Sequence, residues 1–311
     1  MVAFLLLSAF TACTSVAEAP QKDKSAFPNT EPVYPDLGDN AGNASSPKDI
    51  KMSGCLPDYD EPDEFLSIQA PAGLWGSRAA DFNGDGWPDI VLWRGNFQTG
   101  EAFGIEFLLN DGDGNLELGT TEILSGPLPS AVEGREVLIE DFNGDGQPDI
   151  FIADQGMDTD PWPGHQNTLV LSAPGGKMAD ATANLPQQSD QTHSATAADI
   201  EKDGDIDLFI GNMGGGGISP QLLVNDGSGG FSINNSLLPR EHVDLLQNWY
   251  TSSLFADINN DGFEDLVLGQ GDPNRDSHVL INDGTGNFSN AESPLPPSFF
   301  SPNQQVVDIQ A

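Results

Sequence analysis

Four nine-residue stretches concentrate the chemistry this 311-residue chain can offer. They read Asp81-Phe-Asn-Gly-Asp-Gly-Trp-Pro-Asp89, Asp141-Phe-Asn-Gly-Asp-Gly-Gln-Pro-Asp149, Asp199-Ile-Glu-Lys-Asp-Gly-Asp-Ile-Asp207 and Asp257-Ile-Asn-Asn-Asp-Gly-Phe-Glu-Asp265. Carboxylates this close together need a cation or a proton to coexist. Oxygen ligands at positions 1, 3 and 5 can wrap a hard cation, Gly at 6 permits a sharp reversal, and the position-7 carbonyl and position-9 carboxylate complete the shell. The expected ligand sets are Asp81, Asn83, Asp85, the carbonyl of Trp87 and Asp89; Asp141, Asn143, Asp145, Gln147 and Asp149; Asp199, Glu201, Asp203, Asp205 and Asp207; and Asp257, Asn259, Asp261, Phe263 and Asp265. An all-oxygen set of variable geometry favours Ca²⁺ over Zn²⁺ or Mg²⁺, so about four calcium sites are expected. The third is the weakest candidate, because Glu201 is longer than Asn and Lys202 adds a competing charge. An EF-hand shares this opening but needs a bidentate Glu at position 12, where this chain has Leu92, Ile152, Ile210 and Leu268. The EF-hand is rejected.

The loops start 60, 58 and 58 residues apart, and each runs at once into a short β-type segment: Ile90-Val-Leu-Trp93, Ile150-Phe-Ile152, Leu208-Phe-Ile210 and Leu266-Val-Leu268. A second landmark follows in each period: Phe107-Leu-Leu-Asn-Asp-Gly-Asp-Gly-Asn-Leu116, Leu222-Leu-Val-Asn-Asp-Gly-Ser-Gly-Gly-Phe231 and Val279-Leu-Ile-Asn-Asp-Gly-Thr-Gly-Asn-Phe288. The second period keeps a degraded form, Leu169-Val-Leu-Ser-Ala-Pro-Gly-Gly-Lys-Met178. A β run entering Asn-Asp-Gly-x-Gly signals a hairpin, because these residues tolerate positive φ. Each period therefore reads strand, acidic loop, strand, variable loop, strand, Gly-rich turn, strand. The expected fold class is all-β: a β-propeller of four-stranded antiparallel blades. Helical solenoids are excluded, since no segment keeps a 3.6-residue period.

These loops, the strands behind them and the Asn-Asp-Gly hairpins resemble FG-GAP/VCBS repeats, which build the calcium-bearing propellers of integrin α chains and many bacterial surface proteins. The resemblance covers about residues 70 to 311. It implies a propeller and calcium; it says little about biochemical role. Such propellers commonly close with seven blades. Val306-Val-Asp-Ile309 matches Phe255-Ala-Asp-Ile258, so Asp308 reads as the first ligand of a fifth loop and the chain as truncated at its C-terminus.

Composition narrows the partners. The formal net charge of −37 opposes nucleic acid and anionic membrane surfaces. Residues 2–12 (VAFLLLSAFTA) have the length of a signal-peptide apolar region, too short to cross a bilayer. They end at Cys13 in a setting that resembles the lipidation site of bacterial lipoproteins, although no Lys or Arg precedes them. Residues 1–12 are expected to be a lipoprotein signal peptide with Cys13 lipidated, residues 13–64 a flexible tether and residues 65–311 the repeat domain. Ordinary secretion, cleaved after Ala17, is the alternative. Cys55 is then left alone, and no disulfide framework is available.

Antiparallel connectivity puts the acidic loops and Gly-rich turns on one face and the variable loops, residues 94–106, 154–167, 212–221 and 270–277, on the other. Variable loops on a rigid scaffold are where binding resides. Trp162, between two prolines, could stack on a sugar, but reads first as a loop-packing residue. His165, His193, His242 and His278 lack metal-type spacing, and neither a Gly-x-Ser-x-Gly nor a phosphate loop is present. The expected role is an exported surface binding or adhesion module for glycan or protein, with structural calcium and no catalysis. An accessory domain of a larger exported protein and a polysaccharide lyase or hydrolase are the alternatives.

Overall fold

The computed structural model describes residues 74–213, 217–244, 246, 248–272 and 275–291. The expected signal segment, Cys13, the expected tether and Asp308 lie outside the described residues. All described residues belong to one compact unit, Ala70–Ala311.

Blade 1 contains β1 (Leu74–Ala80) and β2 (Asp89–Arg94), then β3 (Phe103–Gly104) standing apart, then β4 (Glu106–Asn110) and β5 (Leu116–Leu118). The connection onward carries β6 (Leu124–Ser125) and β7 (Ser130–Ala131). Blade 2 is β8 (Gly134–Glu140), β9 (Asp149–Asp154), β10 (Thr168–Ala173) and β11 (Lys177–Asp180). Blade 3 is β12 (Thr192–Ala198), β13 (Asp207–Asn212), β14 (Gln221–Asn225) and β15 (Phe231–Ile233); blade 4 is β16 (Tyr250–Ala256), β17 (Asp265–Gln270), β18 (His278–Asn282) and β19 (Phe288–Asn290). Within each blade the order is sequential and antiparallel, as the repeat pattern predicts. Among the described residues, helix is confined to single turns such as Thr120–Ile123 and Arg240–Val243.

The alternation of side chains along one strand explains how the blades stack. The second strands are apolar runs, and β9, β13 and β17 are buried along their whole length. In β9, Ile150 and Ile152 face a cluster with Val91, Trp93 and Phe107 of blade 1. Phe151 and Ala153, on the opposite face, join Ala195, Leu208 and Ile210 of blade 3. Phe209 of β13 turns to a third cluster with Tyr250, Leu266 and Leu268. β9 and β13 thus each feed two seams, which is why their sequences are continuously apolar rather than alternating.

The loops are anchored in the same seams. Phe82, Phe142 and Ile200, at loop position 2, are almost completely buried, and Phe82 and Phe142 meet Phe107 and Phe231 edge-on at 5.4 and 5.8 Å. Each such burial stabilises by about 1.5–3 kcal/mol. Ile258, the equivalent in blade 4, is 53% exposed.

The structure adds features the repeat pattern did not reveal. Blade 2 has five strands, because β6 pairs in parallel with β11 at its outer edge. Every first strand also carries an irregularity at one place, between Leu74/Gly76, Gly134/Glu136, Thr192/Ser194 and Tyr250/Ser252. Such bulges re-aim a side chain. Here Arg135 reaches the His193 Nε2, and the His193 Nδ1 lies 3.2 Å from the Thr251 carbonyl, so one polar chain links blades 2, 3 and 4.

Candidate metal centres

The four acidic loops fold on one hydrogen-bond skeleton. In loop 1 the Asp81 carboxylate accepts the Asp85 N–H at 3.0 Å and the Gly86 N–H at 2.8 Å, and Asp85 Oδ1 accepts the Trp87 N–H at 2.8 Å. The same bonds recur from Asp141 and Asp145, Asp199 and Asp203, and Asp257 and Asp261. Two residues per loop take left-handed backbone: position 4 (Gly84, Gly144, Lys202, Asn260) and the Gly at position 6. Lys202, at φ 61°, therefore bears a strain that Gly84 and Gly144 avoid, and its side chain points to solvent.

Asp89, Asp149, Asp207 and Asp265, at position 9, are buried to within 1%. Their Oδ2 atoms accept the N–H of Phe82, Phe142, Ile200 and Ile258. Their Oδ1 atoms accept the N–H of Asn110, Ser172, Asn225 and Asn282. The position-9 carboxylate thus clamps the acidic loop to the Gly-rich hairpin of its own blade. Burial raises Asp89 and Asp149 above the usual carboxylate range, against the pull of these N–H groups.

Position 3 distinguishes the loops. In loops 1 and 4 the amides of Asn83 and Asn259 donate to Asp85 and Asp261 Oδ2, both at 2.8 Å. In loop 2 Asn143 turns to Ser172, whose hydroxyl donates to Asp145 Oδ2 at 3.0 Å. Loop 3 has Glu201 there, and its Oε2 is buried with no hydrogen-bond partner. Burial, and then the adjoining Glu201, push Asp207 up to about 8. Two buried carboxylates in contact need a shared proton or a hard cation between them. The oxygen donor set fits calcium in chemistry at all four loops. Among the described residues no three Asp, Glu, His or Cys side chains converge as a ready-made ligand cluster. Asn and main-chain carbonyls supply the remaining expected donors.

The Gly-rich hairpins carry a role beyond the turn. Asn225 Nδ2 donates to the Ile206 carbonyl of its own blade and to the Phe142 carbonyl of blade 2. Asn282 repeats this with Glu264 and, one blade back, Ile200. The recurrence of Asn before Asp-Gly, and its replacement by Ser172 in the degraded copy, was the available signal. A repeat unit so defined starts in one acidic loop and ends in the middle strand of the next blade. A family model described as an FG-GAP-like repeat matches residues 81–152, 141–210 and 202–268. The chain belongs to the FG-GAP-like repeat family. Among curated proteins, none matches it. Each matched FG-GAP-like repeat crosses a seam, so the unit of sequence is offset from the blade as a unit of structure.

On the face opposite the loops, Asp154 is completely buried. Its carboxylate accepts the N–H of Val132, Glu133 and Gly156 and contacts the His165 Nδ1 at 2.9 Å. That hydrogen bond raises His165 above its ordinary value. Asp190, equally buried, is pushed up to about 6, with Thr192, Asn212 and Gln188 opposing the shift. Glu133 is pushed up to about 7 by burial and by Asp158 and Asp154, against Arg135. Burial and the Arg135 charge hold His193 down at about 4, which keeps it neutral between Arg135 and Thr251. Trp162, read first as a packing residue, is 43% exposed.

Proposed function

We propose that this FG-GAP-like repeat chain is a calcium-structured binding module that works outside the cell, with its acidic loops as the structural face and its variable loops as the recognition face. The observation that carries the reading is the common loop skeleton: positions 1 and 5 take backbone N–H groups in all four copies, so the same side-chain oxygens recur at the same places. Bound Ca²⁺ would neutralise carboxylates that otherwise repel one another and would tie the loop to its hairpin. Asp81, Asn83, Asp85 and Asp89 would hold it in loop 1 with the Trp87 carbonyl, and the corresponding residues in the other loops. Glu201 supports the third loop as a full member of the set, against its weaker standing in the sequence.

Binding rather than catalysis is favoured by the engagement of the histidines. His165 is tied to Asp154, His193 sits between Arg135 and Thr251, His242 between Tyr250 and Asn290, and His278 packs on His242 at 4.5 Å. Glycan or protein is the proposed partner class. Export, with Cys13 as the lipid anchor, is proposed from the apolar run of residues 2–12.

The test is thermal. Extracellular modules bind calcium as weakly as ~10⁻⁴ to 10⁻³ M, so millimolar calcium should raise the melting temperature of the full chain by several degrees and EDTA should reverse it. Asp141→Ala should remove one site of the set in a titration. A melt unmoved by EDTA and calcium sinks the reading.

A further inference from the structure

We propose that the loop between β9 and β10 is a binding site for a neutral sugar ring, built from Trp162, Asp158 and His165. This deepens the reading of the variable face as the recognition face, and it rests on that reading.

The loop is a closed unit. Its two ends touch at Gly156 and Gly164, where a Cβ on Gly156 would lie 2.4 Å from the Gly164 carbonyl carbon. The buried Asp154 carboxylate grips both ends, accepting the Gly156 N–H at 2.9 Å and meeting the His165 Nδ1 at 2.9 Å. His165 and Asp190 exchange backbone hydrogen bonds at 2.8 and 3.2 Å. Such a neck makes the segment a compact surface loop rather than a slack one.

What the neck presents is Trp162, at φ 58° and 43% exposed. A bulky residue in left-handed backbone carries strain, and strain of this kind persists where the surroundings dictate it. Burial of the ring does not repay it, since nearly half the residue faces water. The same closed loop carries further polar groups. Asp158 and Asp160 are exposed carboxylates. His165 bonds Asp154 through Nδ1, and its ring is one-third exposed. Beneath the loop, Gln155 donates to Asp158 at 3.1 Å and keeps a buried Oε1 with no partner. Glu133, joined to Gln155 through the main chain at 3.0 Å, keeps a buried Oε2 with none.

An exposed indole on a closed loop that also carries exposed carboxylates suits a ligand with a flat apolar face and hydroxyl donors at its edge, which describes a sugar ring. The tip, residues 156–164, holds no Lys or Arg, and the chain carries a net charge of −37. Acidic sugars are therefore disfavoured, and the site takes a neutral one.

The test uses the full chain with calcium on an array of neutral, amino and uronic-acid oligosaccharides, followed by titration with the neutral oligosaccharide retained best. Trp162→Ala should weaken binding at least tenfold and Asp158→Asn a few-fold, with the melting temperature nearly unchanged. Trp162→Gly, which suits φ 58°, should lose binding equally and guards against misfolding of the loop. Trp249→Ala, at an exposed Trp of another connection, should bind as the parent does. Neutral-glycan binding that survives both Trp162 variants overturns this site and leaves the binding module standing. Retention of acidic oligosaccharides only, or capture of a protein ligand with no glycan retained, overturns it in the same way. A calcium-loaded chain that retains nothing overturns the site and the recognition face together.

Discussion

The seam between blades 1 and 2 and the two seams that follow are closed by different means. At the later seams a buried Asn reaches back one blade: Asn225 to the Phe142 carbonyl and Asn282 to the Ile200 carbonyl, each at 2.8 Å. Every polar group of these side chains is used, since Asn282 Oδ1 also accepts the N–H of Gly284 and Gly286. At the first seam the same strand position is Ser172, whose short side chain turns into its own loop. That seam is strapped instead. β6 lies along β11, Ser125 donates to the Met178 carbonyl, and Trp93 donates to the Gly134 carbonyl at 3.0 Å. The difference teaches that the stacking of blades is fixed by the apolar clusters, whereas the polar fastening is local and replaceable.

The largest expected effect breaks a pin. Asn282→Ala removes two donated and two accepted hydrogen bonds from a buried site and should cost on the order of 3 kcal/mol, whereas Ser172→Ala should cost about 1 kcal/mol or less. Denaturant midpoints at constant m would measure both. Equal losses would abolish the distinction between pinned and strapped seams.

A pH titration sharpens it next. Glu133 and Gln191 hold equivalent positions in blades 2 and 3, 58 residues apart. The folded chain holds Glu133 at about 7 against an ordinary 4.5. Its contribution is therefore full below pH 4.5 and is lost as pH rises through 7. His193 works in the opposite sense: lowered to about 4, it contributes fully above 6.5 and loses that contribution as pH falls toward 4. Glu133→Gln should gain stability relative to the parent across pH 4.5 to 7, with a slope of at most about one proton. His193→Gln should gain across 6.5 to 4. Unfolding midpoints at several pH values test both, and parallel profiles for parent and variants would remove these groups from the account.

The smallest effect concerns the third loop alone. Lys202→Gly relieves left-handed strain at the cost of a looser unfolded chain, for a net gain of about 0.5–1 kcal/mol. The same change at Asn260, a residue that tolerates this conformation, should gain less. Calorimetry of the two variants ranks them.

The architecture was legible because its signals are local and repeated. Apolar runs behind each Asp-rich loop, and Asn-Asp-Gly before the last strand, mark strand order without any long-range information. Much of the loop geometry was legible too, since Gly at position 6 declares its backbone. The remainder is tertiary. Asn225 and Asn282 read as turn formers whether or not they reach a neighbouring blade. Asp89 and its counterparts read as ligands, while their burial and their grip on the hairpin depend on chain ends brought together by folding. β6 is two residues long and has no pattern to announce it. The bulged residues Arg135, His193 and Thr251 share a position but no chemistry, so no motif reveals them. Trp162 between prolines suggested packing, whereas the residue is 43% exposed.

The pins and the strap all join a blade to the one before it in the chain. Asn282 reaches residue 200, Asn225 reaches residue 142, and the edge of blade 2 is completed by residues 124 and 125. On a chain emerging residue by residue each pin can form as the later blade docks on its predecessor, whereas β6 waits for β11 of blade 2. Assembly of the described repeats then resembles laying tiles, and an array built this way lengthens or shortens by whole repeats at the cost of one junction each.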